Sequence, residues 1–141
     1  MYLLDTNVVS EMRKVLSGKS DECFSKWAQS LNLYELYLSA ITIQELEIGV
    51  LLKENKDKVT GLILRTWLED HIKPSFEGRV LSVDSNVAIQ SALLHVVNPR
   101  PFRVVLIAAT AIVHGLTIVT LNINDFESCH VKLINPWEFG K

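Results

Sequence analysis

Apolar residues follow two rhythms along this chain. Short apolar runs that end in a small polar or acidic residue alternate with longer stretches whose apolar positions recur at helical spacing. The first run, Met1-Tyr2-Leu3-Leu4, closes on Asp5-Thr6-Asn7, and an apolar-periodic stretch from Val8 to Lys14 starts at once. That order predicts a buried strand, a turn, and a helix whose first N–H groups Thr6 or Asn7 can cap. Ser17-Gly18-Lys19-Ser20 reads as a turn, and Ser20 or Asp21 starts a second helix through Trp27 to Leu31. Glu35 to Ala40 predicts a second strand around Leu36, Tyr37 and Leu38. Thr42-Ile43-Gln44-Glu45 has the Thr-x-x-Glu form of a capping box and opens a helix carrying Leu46, Ile48, Val50, Leu51 and Leu52. Glu54 to Lys58 reads as a charged turn. Val59 to Ile72 then predicts an amphipathic helix on Leu62, Leu64, Trp67 and Leu68, ended by Pro74.

The second half keeps the alternation. Arg79 to Val83 predicts a third strand, closed by Asp84-Ser85-Asn86 and followed by a helix from Val87 to Val97. Asn98-Pro99-Arg100-Pro101 is a stiff loop, and Val104 to His114 a helix apolar on nearly every face, hence central. Thr117 to Leu121 is a fourth strand, Asn122 to Phe126 a loop, and Val131 to Ile134 a short fifth strand before Asn135-Pro136-Trp137. Strands alternating with helices predict an α/β domain with a mostly parallel sheet. No repeat, low-complexity segment or linker divides residues 1–141, so one domain is expected.

Composition narrows the function classes. The net charge of −2 gives no overall basic field, so a nucleic-acid surface would be a local patch. Cys23 and Cys129 are far apart with no Cys-x-x-Cys pairing, which argues against a thiolate zinc site or a disulfide scaffold. Asp5 interrupts the first apolar run before it reaches the length of a secretory leader. The stretch from Val104 to Leu121 approaches a membrane span in length. However, it contains Thr110, His114, Gly115, Thr117 and Thr120 and turns β-branched after the glycine, as expected for a buried helix, a glycine cap and a buried strand.

In a parallel sheet the ligand crevice lies outside the carboxyl ends of the strands. That edge collects Asp5, Glu45, Asp84 and Asp125. Acids without histidine or cysteine partners suit a hard cation such as magnesium or manganese, and such ions favour phosphoryl chemistry. Structural roles compete for each. Glu45 falls at the third position of a capping box, Asp84 looks like an ordinary N-cap, and Asp125 could close a loop turn. His71, His95, His114 and His130 lack ligand spacing, and Trp27, Trp67 and Trp137 fall in apolar patterns.

Beyond spacing, the residues resemble a known family. Leu3-Leu4-Asp5-Thr6-Asn7-Val8-Val9-Ser10-Glu11 is similar to the opening of PIN-domain proteins, in particular the VapC and FitB branch of toxin ribonucleases. Ser39 to Leu46 with Gly49, Leu106 to Ala111 with His114 to Thr117, Val119 to Phe126, and Asn135-Pro136-Trp137 resemble its later motifs in the right order. The resemblance implies a PIN-like three-layer α/β/α domain with a mostly parallel sheet of four to five strands. It implies a Mg2+- or Mn2+-dependent endoribonuclease, the cytoplasmic toxin of a toxin–antitoxin pair, acting on RNA and often on tRNA. In such proteins an ion-bound water attacks the scissile phosphate. The partners implied are a VapB-type antitoxin whose tail enters the active-site groove, a second copy in a homodimer, and operator DNA through the antitoxin. By position, Asp5, Glu45 and Asp125 match acidic metal-binding and catalytic residues, with Thr6, Asn7, Thr120 and Asn122 as supporting polar groups. Arg13, Lys14 and Arg100 are candidates for RNA-backbone contacts.

One departure stands out. Where the family has an aspartate two residues before Leu-Ile-Ala-Ala-Thr-Ala, this chain has Val104, and Arg103 and Val105 beside it supply no carboxylate. Leu121 stands where this branch usually carries an arginine. Two explanations stay open: an inactivated form, natural or engineered, or weakened metal binding on the three remaining acids. Two other function classes compete. One is a catalytically inactive module that captures an antitoxin and dimerises. The other is a receiver-like signalling domain, which would need paired acids at the first strand and a lysine after the last, whereas here the first strand ends in the single acid Asp5 and the last runs into Asn135-Pro136-Trp137.

Overall fold

Alternation along very short strands decides the layering. In the computed structural model, which describes residues 1–141, Leu3 and Leu4 are both fully buried but belong to different apolar clusters. They sit on strand β1 (Tyr2–Leu4), so its two faces pack against separate helical layers. The other strands are β2 (Leu36–Ser39), β3 (Val80–Leu81), β4 (Thr117–Val119) and β5 (Leu133–Ile134). All pairings are parallel, in the order β3-β2-β1-β4-β5.

Helices α1 (Thr6–Val15), α2 (Glu22–Gln29), α3 (Ala40–Lys56) and α4 (Lys58–Trp67) precede β3, with a short α5 (Lys73–Ser75). Helices α6 (Ser85–Val97) and α7 (Phe102–His114) precede β4, and α8 (Ile123–Phe126) follows it. The first cluster joins Leu4, Leu36, Leu38 and Val119 of the sheet to Val8, Val9, Phe24, Trp27, Leu46 and Val50. Phe24 lies 5.5 Å from Trp27 and 4.9 Å from Trp137, which seats the C-terminal 3-10 turn Pro136–Glu138 against α2. The second cluster joins Leu3 and Ile118 to Val104, Ile107, Ala108 and Ala111 of α7 and to Phe126. The result is the three-layer α/β/α arrangement expected, with a five-stranded sheet that is parallel throughout.

Several elements differ from the sequence reading for local reasons. Asp5, not Thr6 or Asn7, caps α1: its carboxylate accepts from Thr6 N–H at 2.8 Å. The Thr42–Glu45 capping box does not form. Ser39 caps α3 by accepting from Ile41 N–H at 3.0 Å, so the helix begins before Thr42 and Glu45 lies in its second turn. The charged turn expected over Glu54 to Lys58 shrinks to Asp57, whose side chain caps α4. Past α4 the chain passes through a π-helical turn, Leu68–Ile72, and stays helical to Ser75, so Pro74 sits inside the last turn. The widened turn eases the clash between a proline ring and the carbonyl four residues earlier. The loop expected over Asn122 to Phe126 is largely helical. Asp84 is an N-cap as read, accepting from Val87 N–H at 3.0 Å, and Gly115 ends α7 at φ 67°. No helix is long and apolar enough to cross a membrane.

The strand order places the site. From β1 the chain winds outward through β2 to β3, then returns to the other side of β1 with β4. Neighbouring connections therefore diverge between the carboxyl ends of β1 and β4, where a crevice opens.

Candidate functional site

Asp5 stands at that divergence, fully buried. A buried carboxylate is costly unless its lone pairs are filled, and here four donors fill them. Oδ1 accepts from Thr6 N–H at 2.8 Å and from Arg103 Nη2 at 2.9 Å. Oδ2 accepts from Thr120 Oγ1 at 2.8 Å and from Asn7 Nδ2 at 3.3 Å. Thr120 follows β4, and its hydroxyl oxygen accepts from Asn122 N–H at 2.9 Å. Asn7 Oδ1 accepts from Leu121 N–H at 3.3 Å, so the turns after β1 and β4 are tied twice across the crevice.

Glu45 reaches the same place from α3. Its Oε1 accepts from Thr6 Oγ1 at 2.6 Å and from Arg103 Nη2 at 3.1 Å, and its Oε2 accepts from Arg103 Nε at 2.6 Å. Arg103, the second residue of α7, thus spans both acids with one planar fork. Burial works against its charge, but the bonds to Glu45 and the attraction of Asp5 and Glu45 outweigh it and hold its pKa above the ordinary value. A cleft of about 310 Å³ runs from Thr6 and Glu45 between α1, α3 and α4, with Arg13, Lys14 and Lys53 on its walls. Lys14 is held by Glu11 at 3.2 Å, while Arg13 is exposed.

The acids named from the sequence separate here. Asp5 and Glu45 meet, and Thr6, Asn7 and Thr120 donate to them, whereas Asn122 reaches only the Thr120 hydroxyl through its backbone N–H and lines a depression with Asp125. Asp125 does not join them: it lies on α8 and lines a depression of about 500 Å³ with Asn122, Asn124, Asn135 and Glu138. No three His, Cys, Asp or Glu side chains stand close enough together to hold a metal ion. Val104, at the expected ligand position, is buried in the apolar cluster with Leu3 and Ile107. A magnesium-like ion takes about six oxygens, several of them waters, and needs carboxylate lone pairs free to bind it. This pocket offers two carboxylates already bonded to a guanidinium, so the residues present do not fit such an ion.

Sequence reasoning registered Arg103 only as a residue that supplies no carboxylate. The signal that could have found it is charge compensation, a cation arriving next to the position where an acid is lost.

The PIN domain model matches residues 2–128. The chain belongs to the PIN-domain family. Among PIN relatives it is 39% identical to toxin FitB of Neisseria gonorrhoeae, over 97% of this chain and 99% of FitB. It is 34% identical to VapC ribonuclease Y4jK of Sinorhizobium fredii, over 98% of this chain and 99% of that protein. The crystal structure of FitAcB from Neisseria gonorrhoeae superposes with a TM-score of 0.85 at 38% identity, covering 99% of this chain and 100% of that one. VapBC2 from Rickettsia felis, solved with a promoter DNA fragment, shares the PIN fold at a TM-score of 0.66 and 20% identity.

Proposed function

We propose that this chain, a single PIN-like unit over residues 1–141, is the toxin-type member of a VapBC/FitB-like toxin–antitoxin pair in the cytoplasm. In this reading its endoribonuclease centre is strongly weakened. The observation that carries it is the pairing of Asp5 and Glu45 with Arg103 beside a buried Val104. The polar scaffold of the site persists, but the ligand set that the resemblance implies for Mg2+ or Mn2+ is not assembled. Arg13 and Lys53 on the cleft walls are suited to an RNA backbone, and a tRNA is the substrate class the resemblance favours.

A second reading, a binding module without cleavage, draws on the unpartnered apolar surface. Leu51, Leu52, Val59, Leu62 and Ile63 on α3 and α4 are more than half exposed, as are Ile89, Leu93, Val96, Val97 and Phe102 around α6. Such surface suits a VapB-type antitoxin and a second copy of the chain. Operator DNA would then be reached through the antitoxin.

Both readings are tested by incubating bulk tRNA with the purified chain and with its Arg103→Ala/Val104→Asp variant, in Mg2+ and in Mn2+. The proposal expects cleavage on the order of 100-fold faster by the variant, the scale on which altering a metal's immediate surroundings acts. Equal, rapid cleavage by both would overturn the weakening. No cleavage by either would overturn the nuclease reading and favour the binding module.

A further inference from the structure

The PIN fold implies a divalent ion between acids that, in this chain, already hold another cation. We infer that Arg103 is a built-in counter-ion occupying that place, so a divalent ion and the guanidinium compete for Asp5 and Glu45. This goes beyond the toxin reading and does not depend on it.

Three observations converge. First, the fork is aimed: Nε and Nη2 bond the two oxygens of Glu45 at 2.6 and 3.1 Å, and Nη2 also bonds Asp5 Oδ1 at 2.9 Å. A solvated surface arginine would not bond two acids from different elements at once, and Glu45 is itself fixed beside Asp5 by a 2.6 Å bond from the Thr6 hydroxyl. Second, Asp5 is 0% exposed whereas Arg103 is 33% exposed, so the guanidinium lies between the deepest acid and solvent. An ion that binds Asp5 and Glu45 together would have to displace it. Third, the neighbouring Val104 faces the apolar cluster, and no further carboxylate is present to recruit a larger positive charge.

The replacement changes what the site can do. Arginine is permanently charged and neutralises acids as a metal would, but it has no open coordination position and cannot lower the pKa of a bound water. It balances the buried charge and ties α7 to β1 and α3, making the folded state independent of metal.

The test measures binding and folding, not cleavage. Mn2+ is titrated into the intact protein, into Arg103→Ala and into Arg103→Met, which keeps an apolar stem. Free Mn2+ is followed by electron paramagnetic resonance, and each protein is melted with and without the ion. The starting chain is expected to bind Mn2+ on the order of 100-fold more weakly than either variant, as breaking a buried ion pair would require. Its melting midpoint should not move in millimolar Mn2+, whereas the variants should melt lower alone and recover with the ion. If Arg103→Ala does not fold, Arg103→Met carries the comparison. If neither variant folds without metal, rescue of folding by Mn2+ supports the proposal and failure of rescue overturns it. Equal Mn2+ affinity of the starting chain and the variants also overturns it. The nuclease reading is decided separately, by tRNA cleavage with the Arg103→Ala/Val104→Asp variant, and its failure there would leave this result intact.

Discussion

Thr120 offers a sharp test of how the buried acid is held. Its side chain is fully buried and donates to Asp5 Oδ2 at 2.8 Å, while the other donor to that oxygen, Asn7, stands at 3.3 Å. Thr120→Val conserves shape and removes the hydroxyl, so the change isolates the hydrogen bond. A bond to a charged group contributes about 1.5–3 kcal/mol, and a buried acceptor left short adds desolvation cost. Asn122 N–H also loses its acceptor, but Asn122 is exposed and water can replace it. The expected loss is about 2 kcal/mol, which for a chain of this size lowers the melting midpoint by about 6 °C. In urea the midpoint should fall by about 1 M with an unchanged slope. Pairing the change with Asp5→Asn should give a coupling energy of about 1–2 kcal/mol, as for residues in direct contact. A Thr120→Val protein within about 0.5 kcal/mol of the starting chain, or a coupling near zero, would refute this account of the site.

Two further predictions concern the scaffold. At Gly61 an added Cβ would lie 2.5 Å from the Glu54 Cα, where α4 crosses α3. Gly61→Ala should therefore destabilise by about 1–3 kcal/mol, measured in urea, despite the better helix propensity of alanine. Glu47 is held below the usual glutamate pKa by hydrogen bonds from Lys73 and Arg65. Because its folded pKa lies below the unfolded value near 4.5, its contribution is present above that pH and fades as pH falls through the folded value. Glu47→Gln should lower the melting midpoint at pH 7 by about 1–2 °C, and the difference should shrink as the pH falls below the unfolded value. A difference that grows on acidification would contradict the sign.

The sequence by itself determined the alternation of elements, the parallel α/β class and the position of Asp5 at a strand end. These follow from period-two and helical patterning and from local capping chemistry, which neighbouring residues specify. Gly115 and Asp84 were legible for the same reason, since a left-handed cap and an N-cap involve residues a few positions apart. What reached across the chain was not legible. Whether Thr42 or Ser39 caps α3 depends on where β2 ends against its neighbours, and that choice moved Glu45 from a capping role into the site. Asp125 matched the family's acids by position, yet it lies on α8 and lines a separate depression. The pairing of Arg103 with Asp5 spans 98 positions and exists because β1 and β4 are neighbours in the sheet with α7 leading into β4. Tertiary structure alone brings that cation to those acids: the sequence shows a cation beside the lost acid, but not which distant groups it meets. Val104 showed that an acid was missing; only the fold shows that a guanidinium stands in the space between the two that remain.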